Sequence, residues 1–178
     1  MQGPNDRSIF TNCGRNSISV YTTVRRLRVE EYPELPYGVA AILQSRHCTI
    51  PQPSQNGPAR NVIQGEFFRK EQKGWAVLCS SGGKSSILVF RNNGDSTPDE
   101  IAESPDSQFL IDTRQGGTVY SREISAVKQK FILRRYRAYG GPKPPPIDHN
   151  GIDDAFLEKA SITWYWHNDK WVQLQGAD

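Results

Sequence analysis

The densest set of groups able to hold an ion or move a proton is Asp148-His149-Asn150-Gly151-Ile152-Asp153-Asp154, with a further carboxylate at Glu158. Closely spaced oxygen ligands, with a glycine that permits a tight turn, suit a hard cation such as calcium. Glu158 stands where a bidentate carboxylate would close the shell. Asp148, Asn150, Asp153, Asp154 and Glu158 are therefore the expected metal ligands, and calcium is the one cofactor the sequence suggests. The plainer reading is a polar turn in which Asp153 or Asp154 caps a short helix over residues 155–159. His149 beside Asp148 also offers a general base, although no nucleophile stands at a diagnostic motif.

Other chemistry-bearing groups are weaker. Ser80, Ser81, Ser85 and Ser86 flank a turn and form no Gly-x-Ser-x-Gly elbow. Gly82-Gly83-Lys84-Ser85 lacks the four-residue spacer and following helix of a phosphate loop. Lys128 to Arg137, with Tyr136 and Tyr139 interleaved, reads as one or two strands with a basic face that could meet phosphates. In the final segment Trp164 and Trp166 share one face of an alternating strand, Tyr165 takes the other, and Trp171 follows. One face must be core; the other could stack on sugars or anchor a protein. Arg134, Arg135, Arg137, Trp164, Trp166 and Trp171 are the expected binding residues.

The elements that position these groups come from patterning. Trp75–Cys79 and Ile87–Phe90 are apolar runs around a Gly82-Gly83 turn, which predicts a hairpin in mid-sheet with both faces covered. Ile18–Val29 reads as a strand, with a polar arm before it. Leu35, Val39, Ile42 and Leu43 form one apolar face, which predicts a short helix over residues 35–46. Cys48-Thr-Ile-Pro-Gln-Pro is extended, because residues preceding proline avoid the helical region. Asn61–Phe68 reads as a short strand, Phe109–Asp112 is a short apolar piece, and Gln115-Gly-Gly leads into Thr118-Val119-Tyr120. Gly140-Gly-Pro-Lys-Pro-Pro-Pro is a stiff connector, and Ala160–Leu174 is a second hairpin.

At 178 residues the chain fits one domain, with residues 1–34 as arm and strand and 35–178 as the body. Aromatic residues at 10% supply a core despite a mean hydropathy of -0.64. The net charge of +3 is far from that of a dedicated nucleic-acid protein, and no run approaches the roughly 18 apolar residues of a membrane span. Three cysteines have no metal-ligand spacing. If the chain is exported, Cys48, after the helix, and Cys79, in the central hairpin, are the expected bridge. The alternative is three reduced, buried thiols in the cytoplasm.

The two hairpins echo each other. Gly65-Glu-Phe67, then Ala76-Val-Leu-Cys-Ser, a turn ending in Gly83-Lys84 and Ile87-Leu-Val-Phe are matched by Asp154-Ala-Phe156, Ala160-Ser-Ile-Thr-Trp-Tyr-Trp, a turn ending in Asp169-Lys170 and Trp171-Val-Gln-Leu. This pattern resembles the phenylalanine-glycine repeats of extracellular integrin-like β-propellers. In that family the turn carries an Asp-rich calcium loop; here Phe68-Arg-Lys-Glu-Gln-Lys-Gly74 has no Asp-x-Asp series, and 178 residues are too few for a propeller. From about Leu35 onward the chain also resembles exported bacterial proteins with a Cys-x-Ile-Pro-Gln segment, here Cys48–Gln52, and a C-terminal aromatic hairpin. That resemblance implies a periplasmic or extracellular setting and brings no activity.

The expectation is an α+β domain of mainly antiparallel sheet with one short helix, acting as a non-enzymatic exported binding domain for a protein or carbohydrate. The alternatives are a hydrolase or metal-dependent enzyme built on residues 148–158, and a nucleic-acid binder using residues 128–137.

Overall fold

The computed structural model describes residues 24–94, 97–113 and 117–177. It is an α+β structure dominated by antiparallel sheet. Its short early strands are β1 (Arg26–Leu27) and β2 (Ile50–Pro51), which pair with each other and flank α1 (Tyr37–Ser45). Sheet 1 is a meander of β3 (Val62–Gly65), β4 (Gly74–Ser81), β5 (Lys84–Arg91) and β6 (Asp99–Pro105). A small ribbon, β7 (Leu110–Asp112) and β8 (Thr118–Tyr120), leads into sheet 2. Sheet 2 contains β9 (Arg122–Val127), β10 (Gly151–Phe156), β11 (Ala160–His167) and β12 (Lys170–Gln175), with α2 (Gln129–Tyr139) inserted between β9 and β10.

The layers follow from which face of each strand is apolar. Trp75, Val77, Cys79, Leu88 and Phe90 leave sheet 1 on one side and meet Val39 and Leu43 of α1, with Leu27, Val29 and Tyr32. Ala76, Leu78, Ile87 and Val89 leave it on the other and meet Ile124, Ile152, Trp164, Trp166 and Trp171 of sheet 2. The outer face of sheet 2 closes on α2 through Val127, Ile132, Tyr165 and Leu174, helped by Ile147 from the proline segment. The order is therefore α1, sheet 1, sheet 2, α2. Trp75 to Ser80 and Ser85 to Phe90 are continuously buried because β4 and β5 lie mid-sheet with a layer on each side.

The echo between hairpins extends to whole units. Each has a helix, a proline-containing extended segment and a three-strand meander: α1, Pro51 and Pro53, β3-β4-β5; then α2, Pro142 and Pro144–146, β10-β11-β12. Both hairpins turn on two residues with positive φ, Gly82-Gly83 at 58° and 79° and Asn168-Asp169 at 50° and 56°. Such turns match the right-handed twist of the strands, and Asn and Asp are the side chains that best tolerate that backbone.

Several expectations need correction. The basic stretch 128–137 is helix rather than strand. Gln, Lys, Leu, Arg and Ala favour helix there, and the mixture of basic and apolar residues that looked like alternation has a period of 3.6, with Ile132 inward and Lys130, Arg134 and Arg137 outward. The structure thus has a second short helix beside the expected one at 37–45. Residues 155–159 are not a helix capped by Asp153 or Asp154; both aspartates sit within β10, which pairs on both edges. β6 was not anticipated, because its sequence Asp-Glu-Ile-Ala-Glu-Ser-Pro suits an exposed edge. The predicted strand at 18–29 lies largely outside the described residues; its described end forms β1 and a 3-10 turn at Val29–Glu31, and Val29 shares a core with α1.

A disulfide joins Cys48 to Cys79, tying the exit of α1 to the middle of the fold. It closes 31 residues of chain, so loop entropy alone assigns it about 3–4 kcal/mol. Urea unfolding of the Cys48→Ala/Cys79→Ala variant should lose a stability of that order, and a loss below about 1 kcal/mol would show that the bridge constrains little.

Candidate functional site

Arg122 opens β9, is 1% exposed, and lies between the sheets. Its Nε and Nη2 donate to the two oxygens of Asp154, both at 2.8 Å. Nη1 donates to the carbonyl and hydroxyl oxygens of Ser85 and Nη2 also to the carbonyl of Ala102. All five guanidinium donors are therefore engaged, which is the condition under which a charge can be kept from water. Ala102 has φ 57°, next to the register shift in the β5–β6 pairing, and this bulge turns its carbonyl toward Arg122.

The polar chain continues. The Ser85 and Tyr120 hydroxyls lie 2.7 Å apart, Tyr120 reaches Asp106, and Ser80 and Arg26 both donate to Asp106. Burial pushes the Tyr120 phenol up to about 12, so it stays a neutral donor.

Above Arg122 and Asp154 opens a groove of about 580 Å³ between the β6 edge and the inner face of sheet 2. Phe109, Phe156, Ile162 and Trp164 supply apolar walls, and Ser104 and Gln173 polar ones. The walls arise because sheet 1 covers only part of that inner face: Ile152 is fully buried whereas Ile162, two pairs along, is 42% exposed. Trp164 Nε1 is buried and has no hydrogen-bond partner among the described residues, so what the side chain offers the groove is its ring.

The other tryptophans are fixed in packing. Trp166 and Trp171 meet edge to face at 5.5 Å, Phe68 packs on both, and the Arg91 guanidinium lies 3.7 Å over Phe68. Trp171 donates to Asp99. They form the wall next to the groove rather than its lining. Arg134 and Arg137 point outward on α2, on the far side of sheet 2, and Arg135 is partly covered, 4.9 Å over the Phe131 ring. The six expected binding residues thus fall on three separate surfaces.

The five expected metal ligands are dispersed as well. Asp153 and Asp154 are neighbours on a strand and leave it on opposite faces, Asp153 toward Thr163 on the outer side and Asp154 to Arg122. The Asn150 side chain holds the Glu66 N–H, and Glu158 lies in the turn at the far end of β10. Among the described residues no group of three His, Cys, Asp or Glu is placed to hold an ion.

Asp148 and His149 do come together. Asp148 Oδ1 is 2.6 Å from His149 Nδ1, and the Tyr165 hydroxyl is 3.1 Å from the same oxygen, with its ring stacked on the imidazole at 4.3 Å. The hydrogen bond from His149 holds the Asp148 carboxyl below its usual range. His149 Nε2 is buried without a hydrogen-bond partner among the described residues. The adjoining pocket of about 450 Å³ is lined by Glu66, Lys70, Lys128, Gln129, Ile147 and Asn150, none a hydroxyl or thiol nucleophile.

Arg122 and Phe109 were not anticipated. In sequence Arg122 is one member of Ser-Arg-Glu, and nothing local distinguishes it from a surface arginine.

Two predictions follow from the buried charges. Asp154→Ala should cost about 3–5 kcal/mol by stranding Arg122, whereas Arg122→Met/Asp154→Leu should cost much less; equal losses in urea unfolding would contradict this account. Burial raises the Asp153 carboxyl despite help from the Ser161 and Thr163 hydroxyls. A raised native value means that stability is greatest below the unfolded-state value and is lost as pH climbs through the native one. Thermal melts of Asp153→Asn should therefore gain on the parent as pH rises from about 4 to 7, and a constant difference would refute it. The chain matches no protein-family model, no curated protein and no solved structure.

Proposed function

We propose that this chain is an exported, non-enzymatic binding domain that seats a saccharide in the groove between its sheets. The observation that carries the reading is a groove walled by Phe109, Phe156 and Trp164 with a polar rim of Ser104 and Gln173. A sugar offers apolar C–H faces to Trp164, Phe109 and Phe156 and hydroxyls to the polar rim. Arg122 and Asp154 satisfy each other, so the floor presents a neutral ion pair, which suits an uncharged ligand. Export is supported by the Cys48–Cys79 disulfide, since such bonds persist in oxidising compartments. Among the described residues no helix is long and apolar enough to cross a membrane. The binding reading stands ahead of the hydrolase because, among the described residues, no serine, threonine or cysteine lines the pocket of the Asp148–His149 pair.

Saturation-transfer NMR against β-linked glucose and N-acetylglucosamine trisaccharides tests the proposal. Binding should be observed and should weaken by up to about tenfold in Trp164→Phe, which leaves a smaller ring for the sugar to stack on. No binding at millimolar sugar, or unchanged affinity in the variant, would overturn it.

A further inference from the structure

We infer that the outer face of α2 is a second docking surface, specific for a linear anionic polysaccharide. It stands independently of the groove, from which sheet 2 separates it.

Residues 128–147 contain Lys128, Lys130, Arg134, Arg135, Arg137 and Lys143 and no carboxylate, although the whole chain is only +3. The rest of the molecule is therefore net negative, and six of the 22 basic residues occupy this one stretch. None of the six makes an ion pair within 4.0 Å among the described residues. Elsewhere Arg26, Arg46, Lys84 and Arg91 are paired, and Arg28, Arg69 and Lys73, which make no ion pair among the described residues, have Glu30, Glu31 and Glu71 as sequence neighbours.

Lys130, Arg134 and Arg137 are exposed and spaced i, i+4, i+7, which puts them in one row. Like charges at that spacing repel, and Lys128 and Lys130 also sit at the positive end of the helix dipole, whose first turn holds no acidic residue, although Glu66 and Asp148 share a pocket with Lys128. The arrangement is unfavourable to the isolated fold. A local rule broken without compensation inside the structure is expected where a partner supplies it.

The partner's shape follows from what α2 has already used. Ile132 is buried in the core, Phe131 packs against it, and Tyr139 is the only large apolar side chain of the helix that is well exposed, too little surface to sink into a bilayer or another protein's groove. What remains is a row of cations about 10 Å long with roughly a turn between charges. A polymer bearing a carboxylate or sulfate on successive units can lie along such a row. The proposed export places the domain among polysaccharides of this kind rather than among nucleic acids.

Heparin serves as the probe. The full chain should elute from immobilised heparin at higher salt than from a sulfonate cation exchanger. Lys130→Gln/Arg134→Gln/Arg137→Gln should abolish that difference and lower the slope of log K against log salt by about 2–3. Arg28→Gln/Arg69→Gln/Lys73→Gln, with the same charge change on exposed positions elsewhere, should keep the affinity, as should Trp164→Phe, so the groove reading can fail without this one. Equal elution from the two resins would overturn the inference. So would an unchanged α2 variant, or tighter binding of single-stranded DNA or anionic phospholipid vesicles at the same salt.

Discussion

A fully hydrogen-bonded guanidinium between two sheets is what the arrangement of this molecule depends on. Arg122 belongs to sheet 2, yet three of its five bonds run to Ser85 and Ala102 of sheet 1. The other two hold Asp154 on its own sheet. Apolar packing between sheets tolerates sliding, because one methyl contact resembles the next. A charge whose desolvation is offset only in one geometry does not. Arg122 therefore fixes the register of sheet 2 on sheet 1, and with it the width of the groove above. Asn61 assists from the other end of the interface, with its side chain bonded to the Ile124 N–H and the Pro51 and Arg122 carbonyls.

How much of this was legible depended on whether the information was local. The central hairpin was readable because a strand covered on both faces must be continuously apolar, and Ala76 to Leu78 and Ile87 to Phe90 are. The first helix was readable from Leu35, Val39 and Leu43, and the Cys48–Cys79 bridge from their placement around it. The helix at 129–139 was misread because short apolar–basic mixtures satisfy both periods, and only Ile132 is deeply buried there. β6 was missed because an edge strand needs few apolar residues.

The site was less legible than the fold. Trp164 was singled out, and its sharing of a face with Trp166 is correct, but no sequence pattern says that sheet 1 stops short of Ile162. Asp148, Asn150, Asp153, Asp154 and Glu158 looked like one ligand set because they are close in sequence. On a strand, neighbours diverge by design, and the local density of carboxylates dissolves into separate hydrogen-bonding tasks. Arg122 carries no sequence mark at all, since its burial is decided by Asp154, Ser85 and Ala102 arriving from three other strands.

The two similar halves are not held alike. The Cys48–Cys79 bond joins the exit of α1 to β4, so the outer layer of the first half is covalently anchored to its sheet. No cysteine occurs after Cys79, and α2 stays on sheet 2 through Ile132, Phe131 and a proline-stiffened return. A reductant can therefore loosen the attachment of the outer layer in the first half and leaves the attachment of α2 to sheet 2 unchanged.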